Sequence, residues 1–137
     1  MDWLPAAACV LFVVPMAVTS GWERPKPHQE LTAELRTALD RSTKPGDIVL
    51  SDPETSYWIA AYAPVYVAVS APTHVGDTKA NRPYERVEAW EDFLRSESFP
   101  DPYDWVVLDA RRARQLACAP QVFSDGRYTL CASRQRR

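Results

Sequence analysis

The chain opens on an uncharged apolar run, Leu4 to Thr19, bracketed by Trp3 and Trp22. As a helix, the stretch between the two tryptophans is about 30 Å long, the thickness of a bilayer core. An indole at each end suits the two membrane–water interfaces. Pro5 and Pro15 weaken a soluble-helix interpretation but are tolerated in a membrane helix. Residues 1–22 are therefore expected to form a transmembrane helix. A cleaved signal peptide needs Lys or Arg ahead of the run, where only Asp2 stands. A lipoprotein signal needs its cysteine after the run, whereas Cys9 lies inside it. A chain that opens on such a helix without a basic flank is expected to be the end of a longer membrane protein. Arg24 and Lys26 come after the run, and charge alone would place the rest of the chain in the cytoplasm.

Beyond the run, residues 23–28 with Pro25 and Pro27 form a stiff linker. From there residues 29–137 alternate between helical and strand patterns. Leu31, Leu35, Ala38 and Leu39 share one helical face, predicting a helix over 29–42 that Pro45-Gly46 ends. Asp47 to Leu50 is a short apolar strand. Ser51-Asp52-Pro53-Glu54 then supplies a capping side chain, a first-turn proline and an acid, opening a helix to about Ala63. Val65–Val69 is a second strand, 70–81 a loop, and 82–95 a third helix with Val87, Trp90 and Leu94 inward. Trp105 to Leu108 is continuously apolar, as expected of a parallel strand covered on both faces. Arg111 to Leu116 reads as a short helix, and Val122–Ser124 with Arg127–Ala132 as a hairpin across Asp125-Gly126. The predicted fold is a small three-layer α/β sandwich: three parallel strands with crossover helices, plus a C-terminal antiparallel hairpin.

Composition narrows the function classes. The net charge is -2, and the cationic runs are short (Arg111, Arg112, Arg114 and Arg134, Arg136, Arg137), which argues against nucleic acid as a partner. Twelve prolines against four glycines suit abrupt element boundaries. No glycine-rich phosphate loop follows the first strand, and no nucleophile elbow is present.

Ligands of parallel α/β sheets bind at the carboxyl ends of the strands. That rule singles out Asp52 after the first strand, His74, Asp77, Asn81 and Arg82 after the second, and Asp109 after the third. His74 and Asp77, together with Asn81 and Arg82, are candidates for binding a phosphate or a sugar hydroxyl, and Asp52 for a hydroxyl or a metal. Asp52 is expected first of all to cap its helix, and His74 with Asp77 lacks a third ligand for a metal. Tyr57, Trp58 and Tyr62 offer a sugar-stacking platform, although packing of the helix on the sheet is the plainer expectation.

Several segments together carry a resemblance: Pro45 to Tyr57, the strand 65–69 with its Ala71-Pro72-Thr73-His74 exit, Asp104 to Asp109, and Val122 to Leu130. They resemble the C-terminal α/β domain of large bacterial membrane glycosyltransferases of the GT-C class, akin to protein mannosyltransferases. The resemblance implies an extracytoplasmic domain, against the charge signal of Arg24 and Lys26. It also implies a lipid-linked sugar donor, inverting transfer and, in the full-length enzymes, often a divalent metal. The catalytic acids of that class lie on a loop outside this chain, so no catalytic residue, metal ligand or cofactor is assigned here. The expected partners are the membrane, the remaining transmembrane part of a glycosyltransferase, and a lipid-linked sugar or its acceptor. The alternative is a single-pass, membrane-anchored binding module.

An extracytoplasmic domain permits a disulfide between Cys118 and Cys131. With Asp125-Gly126 as the central pair of a two-residue turn, Phe123 faces Tyr128 and the two cysteines are diagonal neighbours. Such neighbours are roughly 7–8 Å apart, beyond the usual reach of a bridge. That register favours two buried thiols over the disulfide.

Overall fold

A computed structural model describes residues 30–96, 98, 102–113, 116 and 118–133. The apolar run 1–22 and the linker 23–28 lie outside the described residues. Among the described residues no helix is long and apolar enough to cross a membrane.

The elements run in the order α1 (Ala33–Ser42), β1 (Ile48–Leu50), α2 (Pro53–Tyr62), β2 (Tyr66–Val67), α3 (Pro83–Ser96), β3 (Trp105–Asp109), β4 (Gln121–Ser124) and β5 (Tyr128–Ala132). Five strands form one sheet in the order β2-β1-β3-β5-β4. β1 runs parallel to both β2 and β3, while β5 is antiparallel to β3 and β4. Three parallel strands with a C-terminal antiparallel hairpin are what the hydrophobic pattern predicts.

The two crossovers run in opposite directions, out from β1 to β2 and then back across β1 to β3. A shared hand puts their helices on opposite faces of the sheet, and the packing agrees. α1 and α2 cover one face, with Leu31, Leu35, Leu39 and Ile59 against Val49, Trp105, Val107, Tyr128 and Leu130. α3 covers the other, with Trp90 and Phe93 against Leu50, Val69, Val106 and Leu108. β3 sends alternate residues to the two cores and all five of its residues are buried. An unbroken apolar run is the sequence signature of such a doubly covered strand.

Element boundaries depart from expectation for local reasons. α1 starts at Ala33 and not at 29, because Thr32 takes the N-cap: its hydroxyl accepts from the Leu35 amide at 3.2 Å. β2 is two residues long where five were expected. Its partner β1 ends at Leu50, since Ser51 and Asp52 already turn the chain into α2; the ladder closes with the Ala68 amide on the Val49 carbonyl, 2.8 Å. Of the helix expected over 111–116, the described residues up to Ala113 form a turn, with the amides of Arg112 and Ala113 donating to the Asp109 carbonyl at 2.8 and 2.9 Å.

The hairpin also differs in register. Asp125 stands outside the left-handed region, and Gly126 (φ 85°) takes the first central position with Arg127 the second. Glycine adopts positive φ without the penalty that aspartate incurs, so the turn moves on by one residue. Phe123 therefore pairs with Leu130, and a bulge then sets Gln121 opposite Cys131. These shifts bring Cys118 and Cys131 to a Cα separation of 5.9 Å, and they form a disulfide. The preference for two free thiols is thus corrected: it assumed an unbulged ladder around Asp125-Gly126.

Candidate functional site

The carboxyl ends of β1 and β3 lie side by side, and their outgoing chains diverge, one into α2 and one towards the hairpin. Brought together there are Asp52 and Asp109, two of the six binding candidates. Asp52 is only 3% exposed and caps α2, its Oδ1 accepting from the amides of Glu54 and Thr55 at 3.1 Å each. The expected capping role is the observed one. Beneath it the hydroxyls of Ser51 and Ser56, both fully buried, lie 2.6 Å apart.

Asp109 is 1% exposed at the end of β3. The Arg111 guanidinium forks onto it, Nε donating at 3.1 and 3.0 Å to the two oxygens and Nη2 at 2.6 Å to Oδ2. The Arg111 amide adds a bond of 2.9 Å to Oδ1, and the Arg127 Nη2 stands 3.7 Å from Oδ2. Burial pushes the Asp109 carboxyl up, but these hydrogen bonds and positive charges outweigh it and hold the group below its ordinary value. The same hydrogen bond raises Arg111, while burial raises the phenol of Tyr128, whose ring lies 4.5 Å beneath the Arg127 guanidinium. Arg112 ties the crevice together, its Nε 3.3 Å from Asp52 Oδ1 and its Nη2 paired with Glu54.

None of these three arginines is among the candidates that the sequence singles out. The available signal was local: Arg111 stands two residues after an aspartate that ends a buried strand. The partnership of Arg112 with Asp52, sixty positions away, has no sequence signature.

The other four candidates lie on the exposed loop after β2 and are not brought to this crevice. The Asn81 side chain donates to the Gly76 carbonyl at 3.2 Å, and Arg82 donates to the Lys79 carbonyl at 3.1 Å and pairs with Glu85 at 3.2 Å. Both therefore organise the loop and the start of α3. Asp77 is exposed. His74 is exposed as well, and its ring stands 5.8 Å from that of Tyr57 on α2.

Between α2 and this loop runs a groove of about 380 Å³, lined by Pro53, Tyr57, Ala60, Ala61, Val67, Ser70, Ala71, His74 and Val75. Tyr57 is 57% and Tyr62 45% exposed, so packing on the sheet does not absorb them. Trp58, half-buried against the core, stacks on Tyr62 at 6.4 Å and makes a T-shaped contact with Tyr57 at 5.4 Å. The Arg36 guanidinium covers the Tyr62 ring at 4.8 Å. Among the described residues no group of three or more His, Cys, Asp or Glu is placed to hold a metal ion.

Comparison with protein-family models, with curated proteins and with solved structures finds no match to this chain.

Proposed function

We propose that this chain is a non-catalytic accessory domain held on the outer side of a membrane, serving a polytopic glycosyltransferase that draws on a lipid-linked sugar. The supporting observation is the Cys118–Cys131 disulfide, since structural disulfides belong to oxidising compartments outside the cytoplasm. It sides with the family resemblance against the charges of Arg24 and Lys26. The apolar run 1–22 supplies the anchor in this proposal.

The crevice chemistry supports the non-catalytic part. A general acid or base works best with a pKa near the operating pH. Asp109 is held the other way, below its ordinary value by Arg111 and Arg127, and Asp52 is committed to the cap of α2. Such carboxylates hold a fold together and are poorly suited to passing protons.

Two experiments test the proposal. Alkaline phosphatase fused after Arg137 in a bacterial host is expected to be active, as it is only outside the cytoplasm; an inactive fusion of normal abundance overturns the topology. The purified chain is expected to turn over no lipid-linked sugar. Turnover that is lost on mutating one of its own carboxylates overturns the accessory role.

A further inference from the structure

We propose that the groove between α2 and the loop after β2 binds a neutral hexopyranose unit of a glycan, stacked on Tyr57 beside His74. This deepens the accessory-domain proposal and rests on it only for the source of the glycan.

The groove owes its space to two small residues on the same helix face as Tyr57. Ala60 and Ala61 stand at i+3 and i+4, where larger side chains would close it. At about 380 Å³ it lies within the range of small-molecule sites. Tyr57 forms one wall, its ring held by a T-shaped contact with Trp58 at 5.4 Å and by His74 at 5.8 Å and 60°. The backbone turn from Ala71 to His74, closed by the His74 amide on the Ala71 carbonyl at 2.9 Å, presents the imidazole there.

The lining selects the chemistry of the occupant. It contains no carboxylate, guanidinium or ammonium group, so no permanently charged side chain lines it to favour an ionic ligand. It does offer an exposed aromatic ring, an apolar floor and three polar groups: the Tyr57 hydroxyl, the Ser70 hydroxyl and the His74 imidazole. None of the three is hydrogen-bonded to another described residue. A neutral ligand with one C–H face and a rim of hydroxyls matches that set, because the electron-rich ring face attracts polarised C–H groups while the rim hydroxyls reach the polar groups. A hexopyranose is such a ligand. The ring pre-set by its two neighbours reduces the ordering that binding requires.

The test uses the full chain in a detergent without sugar headgroups, titrated with mannotriose and cellotriose while amide shifts are tracked by NMR. Saturable shifts confined to Tyr57, Ala60, Ala61, Ala71 and His74 are expected, with a dissociation constant of about 1–10 mM. Tyr57→Ala is expected to weaken binding at least about tenfold. Tyr57→Phe, which keeps the stacking face, should cost only about two- to threefold. Tyr84→Ala, removing an exposed tyrosine elsewhere, is expected to leave binding intact. The proposal is overturned by the absence of saturable shifts for both sugars at about 50 mM. It is equally overturned by unchanged affinity in Tyr57→Ala, or by tighter binding of a trileucine peptide at the same amides. Failure here leaves the phosphatase-fusion result standing, and an inactive fusion leaves sugar binding by the purified chain measurable.

Discussion

Thr32 and Asp125, 93 residues apart in sequence, are joined by a hydrogen bond of 2.5 Å from the Thr32 hydroxyl to Asp125 Oδ2. Thr32 caps α1, and Asp125 closes the β4–β5 turn through Oδ1, which accepts from the amides of Arg127 and Tyr128 at 2.9 and 2.6 Å. One carboxylate therefore serves the first helix and the last turn. Asp125→Ala is expected to destabilise the protein by about 1–3 kcal/mol, the range for stranding buried amides and loosening a cap. Urea denaturation at neutral pH measures it; a loss below about 0.5 kcal/mol would show the link to be dispensable.

The disulfide fixes an expectation for thiol chemistry. Cys118 and Cys131 are bonded, so neither should react with a thiol reagent in the denatured, unreduced protein, and reduction should release two further thiols per chain. Closing a segment of this length contributes about 3 kcal/mol, and Cys118→Ser with Cys131→Ser is expected to lose an amount of that order. Free thiols at both positions before reduction, in protein prepared from an oxidising compartment, would refute the bond.

The pH dependence stems from Asp109. Its carboxyl is held below the ordinary value, so it contributes stability above the unfolded-state pKa, and that contribution disappears as pH falls through the lower, folded value. Arg111→Ala removes the fork and leaves only the residue-111 amide and Arg127 to offset burial, so the carboxyl rises. The variant should be less stable at neutral pH by about 1–3 kcal/mol, below the range for a broken buried pair because Arg111 is itself half-exposed. Its acid unfolding should begin at a higher pH than in the parent. Parallel acid-unfolding curves offset only in height would contradict this assignment.

Asp52 gives a test of the cap. Asp52→Ala is expected to cost about 1–2 kcal/mol, whereas Asp52→Asn, which still accepts from the Glu54 and Thr55 amides, should cost much less. Thermal unfolding of the pair decides it. Equal losses would place the contribution in the charge facing Arg112 and not in the cap.

Much of the scaffold was legible in the sequence because each clue was local. Trp105 to Leu108 had to be buried on both faces, and Asp52-Pro53 had to open a helix. The hairpin register was not legible, because an Asp-Gly pair announces a turn without saying which residue takes the left-handed position; the choice of Gly126-Arg127 depends on what the Asp125 side chain accepts. The crevice was half legible. The strand-end rule located Asp52 and Asp109, and Arg111 lay two residues from the second of them, but the pairing of Arg112 with Asp52 and of Arg127 with Asp109 depends on the strand order, which places residues distant in sequence side by side. The groove was hidden for a different reason. Ala60 and Ala61 look like ordinary helix filler, and only the position of the loop after β2 turns their small size into a space.

The seating of α1 has a consequence for how the chain matures. Leu31, Leu35 and Leu39 are synthesised early, yet part of the surface that covers them, Tyr128 and Leu130, belongs to the last strand. At about 5–20 residues per second, the ribosome needs roughly 5–20 s to travel from Thr32 to Asp125. Throughout that interval the leucine stripe of α1 lacks those two partners. That face of the core can therefore be completed only when β5 emerges.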